Sequence, residues 1–319
     1  MAVYESTFWT PFPRPTVLGL SIVMLILSLL LAPFYLALVK VLKKEPIFKE
    51  NIFYFILSNV ALVDVAFANG TSMAAMMSLK HDRYFPLLYE ICSAIHALYD
   101  WTLHLFCLIL ALKIVIVIFD LERSYTTGLL KFLTLFIWKA LIINLYVNDA
   151  VDIEYVYTFD VINFSVDLKT ESSRRTTNIW FYFNLAFVVA AFTCYLLVAA
   201  YFLLKKFKYA TPKPFEECHL LFIKQGLATF LPAAIYFVIN SILSHEVAKA
   251  SVALSLFASL LPRFIPVCNF FGLLIIDRDL RCAYMTRVRN YFCRCRNRTE
   301  VTEIEVTTQT SPANAEKCD

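Results

Sequence analysis

From Ile52 to Met77 the chain stays apolar for the length of a membrane crossing, and a single carboxylate, Asp64, lies near the middle of the run. About 20 residues at 1.5 Å rise cross a hydrocarbon core, so this stretch reads as a transmembrane helix. An Asp at that depth costs at least about 2.5 kcal/mol on insertion scales, which turns it away from lipid and towards polar partners inside a bundle. Asp64 is therefore either the hub of a buried switch or a plain hydrogen-bonding tie between helices. Both readings require several spans.

The rest of the chain supplies them. Further apolar runs cover residues 17–41, 87–119, 129–147, 179–204, 220–243 and 252–276, which makes seven spans in all. Pro33 falls inside the first, where neighbouring helices can re-satisfy the freed backbone. A hydrophobic share of 60%, a charged share of 17% and a mean hydropathy of +0.65 exclude an ordinary soluble protein, which carries about a quarter charged residues. Residues 1–16 lack the basic flank and small-residue cleavage site of a signal peptide, so the first span is expected to be retained. The expected fold is an all-α integral membrane bundle over 17–276, with an extracellular segment 1–16 and a cytoplasmic tail 277–319.

Loop charge orients this bundle. The side holding Lys40, Lys43, Lys44 and Lys49, Arg123, the later loop lysines up to Lys213 and the tail arginines up to Arg298 carries 17 basic residues; the other carries seven. Positive charge is retained in the cytoplasm, so the amino terminus is expected outside and the tail inside. The longest outer loop, 148–177, is acidic and contains the glycosylation acceptor Asn163-Phe164-Ser165. In the tail, Leu280, Tyr284, Val288 and Tyr291 recur on one face among arginines, predicting a short amphipathic helix on the inner membrane surface. Cys293 and Cys295 stand where palmitoylation would anchor it to lipid, ahead of a Thr-rich polar end.

Other function classes lack their signatures. The five histidines form no catalytic grouping, so no enzyme is expected, and the nine cysteines form no metal-ligand pattern. No inverted repeat suggests a transporter or channel. Nothing points to a nucleic-acid partner.

Several motifs carry a resemblance. Asn59-Val60-Ala61-Leu62-Val63-Asp64 has the spacing of the second-helix motif of rhodopsin-like G-protein-coupled receptors. Trp138 falls at the fourth-helix Trp, and Asn269-Phe270-Phe271-Gly272-Leu273 followed by Asp277-Arg278 is in register with the seventh-helix motif. Trp101…Cys107-Leu108-Ile109-Leu110-Ala111-Leu112-Lys113, together with Ala32-Pro33-Phe34-Tyr35-Leu36, resembles the nematode serpentine chemosensory receptors of class T. The resemblance covers residues 17–281. It implies a plasma-membrane chemoreceptor, in that family one of sensory cilia, which binds a small-molecule ligand and signals to a heterotrimeric G protein.

Residue by residue, it implies a polar switch of Asn59, Asp64, Thr102 and Asn269, with a sodium ion near Asp64 as in rhodopsin-like receptors, although the first helix offers no Asn to complete that network. An outward pocket is expected at His96, Tyr99, Asp100, Phe230 and Arg263, with Arg263 suited to an anionic ligand. Asp100 is expected to pair with Lys139, neutralising two charges within the membrane. Lys113 takes the place of the Arg at the G-protein interface; it keeps the charge and loses the planar fork. Phe230 replaces a Trp before Pro232, and the seventh-helix motif lacks its Pro and Tyr. Cys92 has no cysteine in the outer loop to pair with and is read as a small buried residue. These departures keep a folded but weakly coupled or silent receptor in view.

Overall fold

The computed structural model describes residues 12–80, 86–150, 155–158, 163–166, 170–208, 217–243 and 252–290. Seven long helices carry the fold: α1 (Arg14–Lys44), α3 (Ile52–Lys80), α4 (Pro86–Ile118), α5 (Ser124–Ala150), α6 (Glu171–Lys208), α7 (Glu217–Leu243) and α8 (Val252–Ile276). A four-residue turn of helix, α2 (Pro46–Lys49), links the first two. Each predicted span coincides with one of the seven.

Burial sorts these helices by position. α3 is enclosed almost all round, so Asp64 belongs to the innermost element of the bundle. α1, α5 and α6 are peripheral, and their outward faces carry Leu30, Phe132, Phe136, Phe192 and Leu196 at 50% exposure or more. Apolar side chains of that size are left uncovered where lipid is the solvent. On α1 the buried positions Ser21, Met24, Ser28, Leu31, Tyr35, Leu38 and Leu42 follow helical spacing, which lays that face along α3.

Two features lie outside the spans, one unexpected and one expected. The loop between α5 and α6 contains an antiparallel hairpin, β1 (Tyr155–Thr158) with β2 (Asn163–Val166), resting against α4; no strand was expected there. Asn163 opens β2 opposite Thr158. After α8 the chain turns through 107° into α9 (Arg278–Asn290), the expected tail helix. Leu280 and Tyr284 are buried on its predicted apolar face, and Val288 packs beside them. Cys293 and Cys295 lie outside the described residues.

The face of the bundle that bears α9 is called the tail face below, and the opposite one the amino-terminal face. α4 ends on the tail face with Asp120 in the left-handed region at φ 55°, a conformation Asp tolerates better than most residues. Leu121 N–H donates to the Ile116 carbonyl at 2.8 Å and Asp120 N–H to Val117 at 3.1 Å, satisfying the last carbonyls of the helix. That turn sends the chain back towards α4.

Candidate functional site

Asp64 is fully buried and holds four helices together. Tyr99 of α4 donates its hydroxyl to Oδ1 at 2.9 Å. Tyr35 of α1 and the amide Nδ2 of Asn269 in α8 reach Oδ2 at 2.8 and 3.0 Å. The Tyr35 oxygen also lies 2.5 Å from the Pro266 carbonyl, a second acceptor for its single proton. Below this ring Phe270 packs against Tyr35, with centroids 5.1 Å apart; above it Phe67 stacks on Tyr99 at 3.8 Å. The carboxylate thus sits in an apolar sleeve with every close polar contact a donor, the arrangement that offsets its burial.

The membership of this cluster differs from the expected one. Asn269 joins it. Thr102 does not: its hydroxyl turns back to the Leu98 carbonyl of its own helix at 2.6 Å. Asn59 faces α5 instead, accepting from Trp138 Nε1 at 2.9 Å while its amide donates to Phe55. Tyr99, expected in the outward pocket, is 2% exposed and committed to Asp64, and Tyr35, named only within the first-helix motif, had been given no part in the switch. The ring does not fit a sodium ion. Three donors touch the carboxylate directly, so a cation there would have to displace hydrogen bonds rather than enter a gap, and Asn269 in its present orientation offers the ring a nitrogen donor and no oxygen ligand.

Towards the amino-terminal face a second polar group joins α4 to α6 and α7. Asp100 Oδ2 accepts the hydroxyl of Tyr236 at 3.0 Å. One turn deeper, the ring of His104 meets Asn184 Oδ1 of α6 at 3.2 Å and Phe237 edge-on. The expected Asp100–Lys139 pair does not form. α5 buries Leu130, Thr134, Ile137 and Leu141, which puts Lys139 on the opposite, exposed face.

The remaining pocket residues are dispersed. His96 is wedged under α3: its Nδ1 lies 2.9 Å from the Cys92 carbonyl, and a Cβ on Gly70 would come within 3.1 Å of the ring. Arg263 lies close enough to His96 and Tyr236 to interact with both electrostatically. It also lines, with Thr71, Phe67 and Pro266, a cavity of about 20 Å³ between α1, α3 and α8, room for a water molecule. Phe230 lies about one and a half turns of α7 deeper than Tyr236, against Tyr195, so it does not border the Asp100 group. Pro232 had marked Phe230 by its distance from a motif; the helix instead presents Tyr236 and Phe237 at the level of Asp100 and His104. Cys92 is free and buried, with its sulfur 3.4 Å from that of Met73.

On the tail face Lys113 is buried and forms an ion pair with Glu122, which the turn at Asp120 brings back over α4. Glu122 is 49% exposed, so the pair is open to solvent from one side. A second carboxylate, Asp277, is buried at the start of α9. It accepts from Tyr54 of α3 at 2.7 Å, Gln225 of α7 at 2.9 Å and the Leu280 amide at 2.9 Å. Sequence reasoning passed over Tyr54 and Gln225; the signal for Gln225 was an amide set well inside an apolar span.

No protein-family model and no curated protein matches the chain. Its structure is similar to the crystal structure of squid rhodopsin, with a TM-score of 0.72 over 99% of this chain and 98% of that one, at 11% sequence identity. The two share a fold, that of a multi-pass membrane protein with seven helices.

Proposed function

We propose that this protein is a G-protein-coupled receptor with a chemosensory role. In this reading a small molecule binds from the amino-terminal face, which is extracellular, and a heterotrimeric G protein engages the tail face. The observation that carries it is the Asp64 ring, because one carboxylate joins α1, α3, α4 and α8 below a half-buried Asp100–Tyr236 pair. A ligand that takes a hydrogen bond from Tyr236, or gives one to Asp100, acts within about a turn of Tyr99 and so on the ring itself. The finer placement, among receptors like the nematode serpentine class T and in the plasma membrane of sensory cilia, rests on the sequence motifs. Glycosylation at Asn163 and palmitoylation at Cys293 and Cys295 fit the same orientation.

A silent or weakly coupled receptor is the second reading, and the Lys113–Glu122 pair favours it. Lys113 is occupied by a carboxylate of its own chain at the position where the resemblance puts a G-protein contact. The test is expression in cells that report G-protein signals, challenged with panels of volatile and soluble small molecules. A dose-dependent response that disappears in Tyr236→Phe supports the receptor reading. Absence of any response from a surface-expressed protein, with Glu122→Gln equally silent, overturns it.

A further inference from the structure

The groups around Asp277 are tied to one another across three elements. One carboxylate serves three elements: Oδ1 caps the first turn of α9 through Leu280, and Oδ2 takes Tyr54 of α3 and Gln225 of α7. Asp is a favoured residue at a helix start, and here it also orders a chain reversal of 107°. Arg281 completes the junction by donating to the Leu274 and Ile275 carbonyls at the end of α8.

α7 has a weak point between its two ends. Pro232 removes one backbone hydrogen bond from the middle of the helix and marks a hinge. Below that hinge, Gly226 is seated so closely that a Cβ there would meet Ile114 Cδ1 and Tyr195 Oη, each at 2.6 Å. The seat is imperfect in its polar groups: Gln225 Oε1 and Tyr195 Oη are buried with no hydrogen-bond partner. Unsatisfied buried oxygens favour any arrangement that lets water or another partner reach them. At this level the Gln225–Asp277 bond ties α7 to the start of α9.

We propose that Asp277 is a shared latch: the carboxylate that caps α9 also pins the hinged half of α7 through Gln225, so that this half of α7 and the first turn of α9 loosen together. The consequence for signalling rests on the receptor reading. The latch itself does not, since both of its readouts are structural. It ties the tail helix, and through Arg287–Glu45 at 3.7 Å the loop after α1, to the position of α7.

The test uses the full chain in lipid nanodiscs, with spin labels at Leu220→Cys on α7 and Tyr125→Cys at the start of α5, both exposed, and with other reactive cysteines replaced. Amide exchange over residues 280–284 is measured in the same variants. Gln225→Leu keeps the side-chain bulk and removes the donor. It is expected to raise the long-distance population about tenfold, as loss of a hydrogen bond to a charged group does, and to speed exchange at Leu280. Tyr54→Phe removes a bond to the same oxygen but leaves α7 tied, so its distance distribution should match wild type. Should Gln225→Leu not fold, Gln225→Asn, one methylene too short to reach Asp277, reads the same pair. An unchanged α7 distance in the Gln225 variants overturns the latch, and so does α7 opening with no change in exchange at Leu280.

Discussion

Asp64→Asn should be nearly neutral for stability although it removes a buried charge that three donors surround. The reasoning turns on two groups that hold a second option. Tyr35 lies 2.5 Å from the Pro266 carbonyl, so it can donate there and accept from an amide at position 64. Asn269 has its Oδ1 buried without a partner, and a half-turn of its amide brings that oxygen round to face a donor. An Asn at 64 can then keep Tyr99 on its oxygen and give its amide hydrogens to Tyr35 and Asn269. The cost comes to within about 1 kcal/mol, an ordinary difference between one satisfied network and another. Asp64→Ala has no such exit. Tyr35 still finds Pro266, but the Tyr99 hydroxyl and the Asn269 amide are left buried and unpaired. At about 1–3 kcal/mol each, that costs about 2–6 kcal/mol. Thermal unfolding of detergent-purified protein, followed by a thiol-reactive dye that reports exposure of buried Cys92 and Cys107, should rank Asn close to wild type and Ala far below. The same logic makes the coupling of Asp64 to Tyr99 in a double-mutant cycle larger than its coupling to Tyr35. If Asp64→Asn unfolds as early as Asp64→Ala, the second options do not operate and the donor accounting is wrong.

Other outcomes follow from the same geometry. Gly226→Ala should destabilise by about 1–3 kcal/mol through overpacking against Ile114 and Tyr195, and pairing it with Tyr195→Phe should recover part of the loss in the same unfolding assay. Trp138→Phe removes the hydrogen bond to Asn59 and should cost about 1 kcal/mol, whereas Thr102→Val, whose hydroxyl bonds only its own helix, should stay within about 0.5 kcal/mol. Lys113→Arg should raise G-protein signalling at equal surface expression, because the guanidinium can engage a partner and Glu122 at once; a variant no stronger than wild type removes Lys113 as the limiting contact. An amino-terminal tag should stain on intact cells and a carboxy-terminal tag only after permeabilisation, and the reverse pattern would contradict the 17-to-7 division of basic residues.

What the sequence made legible was whatever depends on position along a helix axis. Seven apolar runs give seven helices because the bilayer fixes their length, and Asp64 announces a buried site because an unpaired charge cannot remain in lipid. What it hid depends on rotation about the axis. Asp100 and Lys139 looked like a pair because both lie within spans, but α5 turns Leu130, Thr134, Ile137 and Leu141 inward and Lys139 away. Tyr35 looked like one aromatic residue among many. Its signal was present in the company it keeps: Ser21, Ser28 and Tyr35 share one helical face of α1, and polar residues aligned on a face of an otherwise apolar helix mark the side turned to the bundle.

The two buried carboxylates show why a register argument from motifs fails where a donor argument succeeds. Phe230 was placed by counting from Pro232, and a proline fixes where a helix can bend, not which side chain faces the pocket. Asp64 and Asp277 needed no count. Each is buried, each must be approached by donors, and each draws three of them from different elements: two tyrosines and an amide for Asp64; a tyrosine, an amide and a backbone N–H for Asp277. Both sites share α3, through Asp64 itself at one level and Tyr54 ten residues earlier at the other. Because α3 is the most enclosed helix, neither carboxylate can lose a donor to lipid. The two clusters are therefore coupled through rigid α3 and through α8, which carries Asn269 and leads directly into Asp277, so a shift of α8 at the Asp64 ring must be absorbed at the Asp277 junction.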